Sequence, residues 1–213
     1  SEKNLRYGLH FMFSHNNVYT ANVFKNNDAG IAVMYSRNVG MFKNKFLENW
    51  GDGVYGLLLK DLTFSKIKNN IFRNNTVGIF MDGASKVDLY HNEFVNNGWG
   101  LKINANCMEN RLMNNNFENN TFDVSTSGSL VMNSFRNNYW DKYEGYDLDK
   151  DKIGDVPFHP LSLYAVLAEK NSMIMLLYRT FFVEILDRSE KLVPSLTPEN
   201  FVDEQPMMKP NKI

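Results

Sequence analysis

Apolar and polar residues alternate through most of the first 140 positions, in short runs such as Ile31-Ala32-Val33-Met34 and Val87-Asp88-Leu89-Tyr90. A period of two sends successive side chains to opposite faces of a strand, and the Val, Ile and Phe content of these runs suits strands. The runs recur with a marker, Asn-x-Phe-x-x-Asn, which begins at Asn22, Asn44, Asn70, Asn92, Asn115 and Asn133. A second marker, Gly before a branched apolar residue, starts at Gly8, Gly30, Gly56, Gly78 and Gly100, in steps of 22, 26, 22 and 22 residues. A repeat this short fits leucine-rich or β-helical solenoids, and the units lack the several leucines per turn that the former need. The spacing therefore predicts an all-β, right-handed parallel β-helix with coils of about 22 residues, equivalent residues stacking about 4.8 Å apart. Phe over Phe fills the core, and the repeated Asn forms ladders that satisfy the bending backbone.

Register then assigns the faces. Leu9, Ile31, Leu57, Ile79 and Leu101 form one inward stack, with Phe11, Val33, Leu59, Met81 and Ile103 as another. The outward stacks are His10, Ala32, Leu58, Phe80 and Lys102, then Met12, Met34, Lys60, Asp82 and Asn104. The pattern divides the chain into coils over 1–140, an acidic cap loop over 141–160, C-terminal helices over 161–193 and an extended, Pro-rich tail over 194–213. Ser1 falls inside a coil already running, so further coils are expected upstream.

Composition narrows the classes. A net charge of −1 gives no electrostatic reason to expect nucleic acid. The single Cys107 excludes an internal disulfide and reads as a small core residue. Four residues inserted around Trp50-Gly51-Asp52-Gly53 account for the 26-residue step, and Trp50 marks either a contact surface or a ring folded back over its coil.

Candidate chemistry lies at both ends. His10, Met12 and Met34 share one outward patch, the imidazole and thioether set that suits monovalent copper; the same residues also suit packing beneath another element. His15 and Tyr19 are candidates to approach from the following turn. Asp147, Asp149, Asp151 and Asp155 resemble a calcium loop, with Lys152 where such loops want Gly and Phe158 where they want Glu; a charged turn is the alternative. Asp82, Asp88, His91, Glu93 and Asp123 do not align as paired acids of a carbohydrate-active enzyme and read as solvated surface residues. Leu161–Lys170 and Ser172 to about Leu192 are predicted helices, the second too short and too charged, with Arg179 and Glu184, to span a membrane. Its stripe of Met173, Ile174, Leu177, Tyr178 and Phe181 is a candidate docking face, with packing entirely within the chain as the alternative.

The phrases Tyr7-Gly8-Leu9-His10-Phe11-Met12-Phe13-Ser14, Tyr55-Gly56-Leu57-Leu58-Leu59-Lys60, Thr76-Val77-Gly78-Ile79-Phe80-Met81, Asn120-Thr121-Phe122-Asp123-Val124, Asn138-Tyr139-Trp140-Asp141 and Gly145-Tyr146-Asp147-Leu148-Asp149 resemble the NosD family of nitrous oxide reductase maturation. The resemblance covers most of Arg6 to Pro198. It implies a periplasmic, non-enzymatic accessory protein for copper delivery. Its implied partners are the membrane subunit and ATPase of an ABC-type transporter, a copper donor protein and nitrous oxide reductase itself. The alternatives are a carbohydrate-active β-helix enzyme and a metal-free scaffold.

Overall fold

The computed structural model describes residues 1–128, 132–170 and 201–213. They form a right-handed parallel β-solenoid of about six turns. Each turn contributes one strand to each of three parallel six-stranded sheets. The first holds β1 (Tyr7–Met12), β4 (Ala29–Met34), β7 (Tyr55–Lys60), β10 (Val77–Asp82), β13 (Trp99–Ile103) and β16 (Phe122–Thr126). The second holds β2 (Val18–Thr20), β5 (Gly40–Phe42), β8 (Lys66–Lys68), β11 (Asp88–Tyr90), β14 (Arg111–Met113) and β17 (Ser134–Arg136). The third holds β3 (Val23–Lys25), β6 (Lys45–Leu47), β9 (Ile71–Arg73), β12 (Glu93–Val95), β15 (Asn116–Glu118) and β18 (Tyr139–Trp140). A helix, α1 (Leu163–Lys170), packs on β16.

The register follows the predicted stacks. Leu9 pairs Ile31, which pairs Leu57, and on to Ile79, Leu101 and Val124, all but Leu9 fully buried. Down the third sheet Phe24, Phe46, Phe72, Phe94 and Phe117 stack face to face, with centroids 4.6 to 5.4 Å apart. The column ends on Trp140, 4.3 Å from Phe117. This corrects the reading of the sixth Asn-x-Phe-x-x-Asn phrase. Phe135 belongs to the second sheet, opposite Leu112, because Asn133 continues the corner of Asn110 rather than that of Asn115.

Two asparagine columns hold the corners. In one, the backbone N–H and side-chain amide of each Asn donate to the Oδ1 of the next: Asn22 to Asn44, then Asn70, Asn92, Asn115 and Asn138. Asn27, Asn49, Asn75, Asn97 and Asn120 form the second in the same way. These amides replace the strand partners that a bending backbone loses, and all but the exposed Asn22 are buried among groups that satisfy them. Beside them the chain turns through left-handed residues, Asn69, Asn74, Asn96, Asn114 and Asn119 among them, a conformation Asn tolerates better than most side chains.

The glycine column has a steric cause. A Cβ on Gly30, Gly56 or Gly78 would stand 2.4 to 2.7 Å from the carbonyl oxygen of the next glycine along the axis. In the last coil the equivalent position is Asp123, which has no such neighbour above it among the described residues.

The tail from Phe201 is extended, as its composition suggests, but it closes the solenoid rather than trailing in solvent. Asp203 bridges Phe135 in parallel and Phe158 in antiparallel fashion, and Met207 does the same with Tyr139 and Ile153. Phe201 and Asp203 are fully buried there. The first C-terminal helix is two residues shorter at its start than expected, and the second, with Met173, Ile174, Leu177, Tyr178 and Phe181, lies outside the described residues.

Candidate metal sites

The N-terminal face of the first sheet brings its soft donors together. Met12 and Met34 are direct register partners on β1 and β4, and His10 lies two residues before Met12, opposite Ala32. Neighbouring strands place the two thioethers about 5 Å apart at the backbone, with His10 about 7 Å along the same face. His10 is exposed and stacks on Tyr7, centroids 4.7 Å apart, and no residue among those described hydrogen-bonds its ring nitrogens. Met12 is 40% exposed and Met34 half-buried. Phe13 and Tyr35, stacked at 5.1 Å, edge the patch at the following corner. A small imidazole near paired thioethers on an open surface suits a soft ion that must be taken up and released.

Neither additional candidate joins this patch directly. Tyr19 stacks on Phe11 at 4.7 Å and faces the lumen, where burial raises its phenol above the ordinary value. His15 sits on the turn, its Nδ1 accepting the Arg37 N–H at 3.2 Å. Met207 and Met208 are built into the tail, their N–H groups donating to the carbonyls of Asn138 and Lys152.

The acidic loop is folded around its own carboxylates. One ligand oxygen from each of Asp147, Asp149 and Asp151 lies within 4.8 Å of the other two. Asp147 accepts the backbone N–H groups of Lys150, Asp151 and Lys152, and Asp151 accepts that of Ile153. Desolvation works against the Asp147 anion, but the N–H donors of Lys152 and Lys150 outweigh it and hold that carboxyl below the usual range. Asp149 is raised. The Asp151 N–H lowers it, yet desolvation and the surrounding carboxylates prevail. Asp155 stands apart from the trio, its Oδ2 accepting the Leu148 N–H at 2.7 Å. Lys152 does adopt the left-handed conformation in which Gly is usual, at φ 78°, and Phe158 packs on Trp140 instead of supplying an oxygen.

Of the acids read as solvated surface residues, Asp123 is the exception. It is buried, its Oδ1 accepts the Asn120 amide at 3.2 Å, and its Oδ2 lies 3.1 Å from Lys142 Nζ. Burial pushes its carboxyl above the ordinary range, although Lys142 pulls it down. It terminates the second asparagine column, as Asp203 terminates the first. Sequence reading missed both, although Asp123 could have been found as the one residue out of place in the glycine column. Cys107 is buried as expected, and burial pushes its thiol to about 11, which makes it a poor thiolate donor.

The sequence matches the family described as "Periplasmic copper-binding protein (NosD)" over residues 1–145. The chain belongs to the NosD family. The matched span takes in every strand, β1 to β18, and the patch of His10, Met12 and Met34, and it stops just short of the acidic loop at Asp147. No curated protein matched closely enough to add a named relative. NosD membership carries a periplasmic, copper-related accessory role. Among the described residues no helix is long and apolar enough to cross a membrane.

Proposed function

We propose that this NosD-family chain handles copper(I) for the assembly of nitrous oxide reductase, without chemistry of its own, while docked to an ABC-type transporter. The observation that carries the copper assignment is the register pairing of Met12 with Met34 beside an exposed, uncommitted His10. The accessory reading is supported by what the outward acids do. Asp88 makes a bidentate pair with Arg111 at 2.7 and 2.8 Å, Asp82 accepts the amides of Asn104 and Asn106, and Glu93 lies 4.0 Å from Arg73. Such acids are committed to structure rather than paired across a substrate groove.

Anaerobic titration with copper(I) against a competing chelator tests the metal assignment. Met12→Leu with Met34→Leu keeps volume and apolarity, so folding should survive with a cost under about 1.5 kcal/mol, while affinity falls. Unchanged affinity in the double variant removes the assignment. Transporter docking through Met173, Ile174, Leu177, Tyr178 and Phe181 predicts that Leu177→Asp with Phe181→Asp leaves the solenoid folded but abolishes co-purification with the membrane subunit. Normal co-purification counts against it. The copper donor protein and the reductase complete the proposed set of partners.

A further inference from the structure

The 26-residue coil presents Trp50 rather than hiding it. The ring is 57% exposed, although Asn49 before it and Val54 after it are both buried. The base of the loop is clamped on both sides, since the Gly51 N–H donates to Thr76 Oγ1 at 3.0 Å and the Thr76 hydroxyl donates back to the Gly51 carbonyl at 3.2 Å. An indole held out in this way is an apolar surface that the fold leaves in water.

It borders an open cavity of about 400 Å³ whose other walls are polar: Asn26, Asn27, Asp28 and Glu48. Asn27 is spent in the column, accepting from Asn4 and donating to Asn49. The Asp28 carboxylate has no partner among the described residues, its backbone alone being engaged, by Asn4 and Tyr55. Glu48 makes an exposed ion pair with Lys25 at 3.3 Å, a contact weak enough to be exchanged for another cation. At the same corner the neighbouring coils carry Asn26 and Asn74, so Glu48 adds a charge where they have amides.

An aromatic face next to two carboxylates attracts cations, because the ring quadrupole and the anions act in the same direction. We propose that the Trp50 pocket binds an organic cation, an alkylammonium or guanidinium group, supplied either by a basic side chain of a partner protein or by a small quaternary amine. In this proposal the apolar carbons of such a group lie against the indole and its charge faces Asp28 and Glu48, which line the same cavity.

The test follows the indole N–H signals of the ¹⁵N-Trp-labelled chain by NMR, with Trp50→Phe identifying the Trp50 signal. N-acetyl-lysine methylamide and choline are the two cationic probes, and N-acetylglucosamine trimer is the neutral one. The Trp50 signal should move saturably with a cationic probe, and Asp28→Asn with Glu48→Gln should weaken binding about fivefold for each charge removed. Tighter binding of the lysine derivative assigns the pocket to a protein side chain, and tighter binding of choline to a small amine. No saturable shift with either cation, equal affinity in the neutralised variant, or binding of the trimer alone overturns the proposal. The Trp99 and Trp140 signals, from rings elsewhere in the solenoid, report that the variants remain folded.

Discussion

One oxygen of Asp203, Oδ2, accepts both the backbone N–H and the side-chain amide of Asn138, at 3.0 and 2.9 Å, across 65 residues of sequence. Trp140 Nε1 donates to the same atom at 3.1 Å, and the other oxygen accepts the Gln205 N–H. Asp203→Ala should orphan three buried donors at once, each costing about 1–3 kcal/mol. Asp203→Asn keeps an acceptor in place and should cost much less. Urea unfolding of the two variants checks this, and equal losses would show that the tail closes the solenoid by packing alone.

A methyl group at Gly56 would lie 2.7 Å from the Gly78 carbonyl oxygen, whereas at Gly53 it would meet nothing within 4 Å. Gly56→Ala should therefore cost more than about 3 kcal/mol or prevent folding. Gly53 adopts φ 67°, so Gly53→Ala should cost only about 1–2 kcal/mol. Thermal melts of the pair separate a clash between coils from a local backbone preference.

Asp123 gives a pH dependence of defined sign. Its carboxyl is raised in the folded chain by burial, so the neutral form is the one folding favours. Its contribution is present below the unfolded aspartate pKa and is lost as pH rises through the folded value. Asp123→Asn is fixed in the neutral state and should gain stability relative to the parent between pH 4 and pH 7. Denaturant midpoints of both proteins at the two pH values measure this, and a difference that shrinks with rising pH would mean that Lys142 dominates.

The trio of Asp147, Asp149 and Asp151 should respond to a hard divalent ion, because like charges within 4.8 Å repel and share one opening. Calcium should raise the melting temperature and chelator should return it, and Asp149→Asn should flatten the response. A melting temperature indifferent to calcium in the parent chain would show that the backbone N–H donors already satisfy the loop.

The solenoid was legible because it repeats. Period, the inward faces and most of the aromatic column can be read by comparing one coil with the next, and the alternation around Leu9 and Phe11 puts His10 and Met12 outward, whereas Ala32 on the same stack is buried. What escaped was whatever happens once. Phe135 sits in a phrase that matches five others, but it occupies a different strand, since an Asn-x-apolar motif at one corner resembles that at the next. Asp123 looked like a surface acid because the alternation alone does not show that it takes the enclosed position of the glycine column, and Asp203 lay too far along the chain for local pattern to link it to Asn138. The acidic loop was visible as spacing, but which oxygens converge depended on Lys150 and Lys152 turning left-handed.

The asparagine columns also have an electrical consequence. Each interior amide, from Asn44 to Asn115 and from Asn49 to Asn97, points its oxygen towards the earlier coil and one N–H towards the later one, while its second N–H donates back to a backbone carbonyl of the earlier coil. The small dipoles therefore add along the axis instead of cancelling, as peptide dipoles do in an α-helix, and leave a positive end at the later coils. That is where the carboxylates of Asp203 and Asp123 stand. A carboxyl oxygen accepts the last amide of each column, as an acidic cap completes the first turn of a helix, giving the two ends of the solenoid different electrostatic characters.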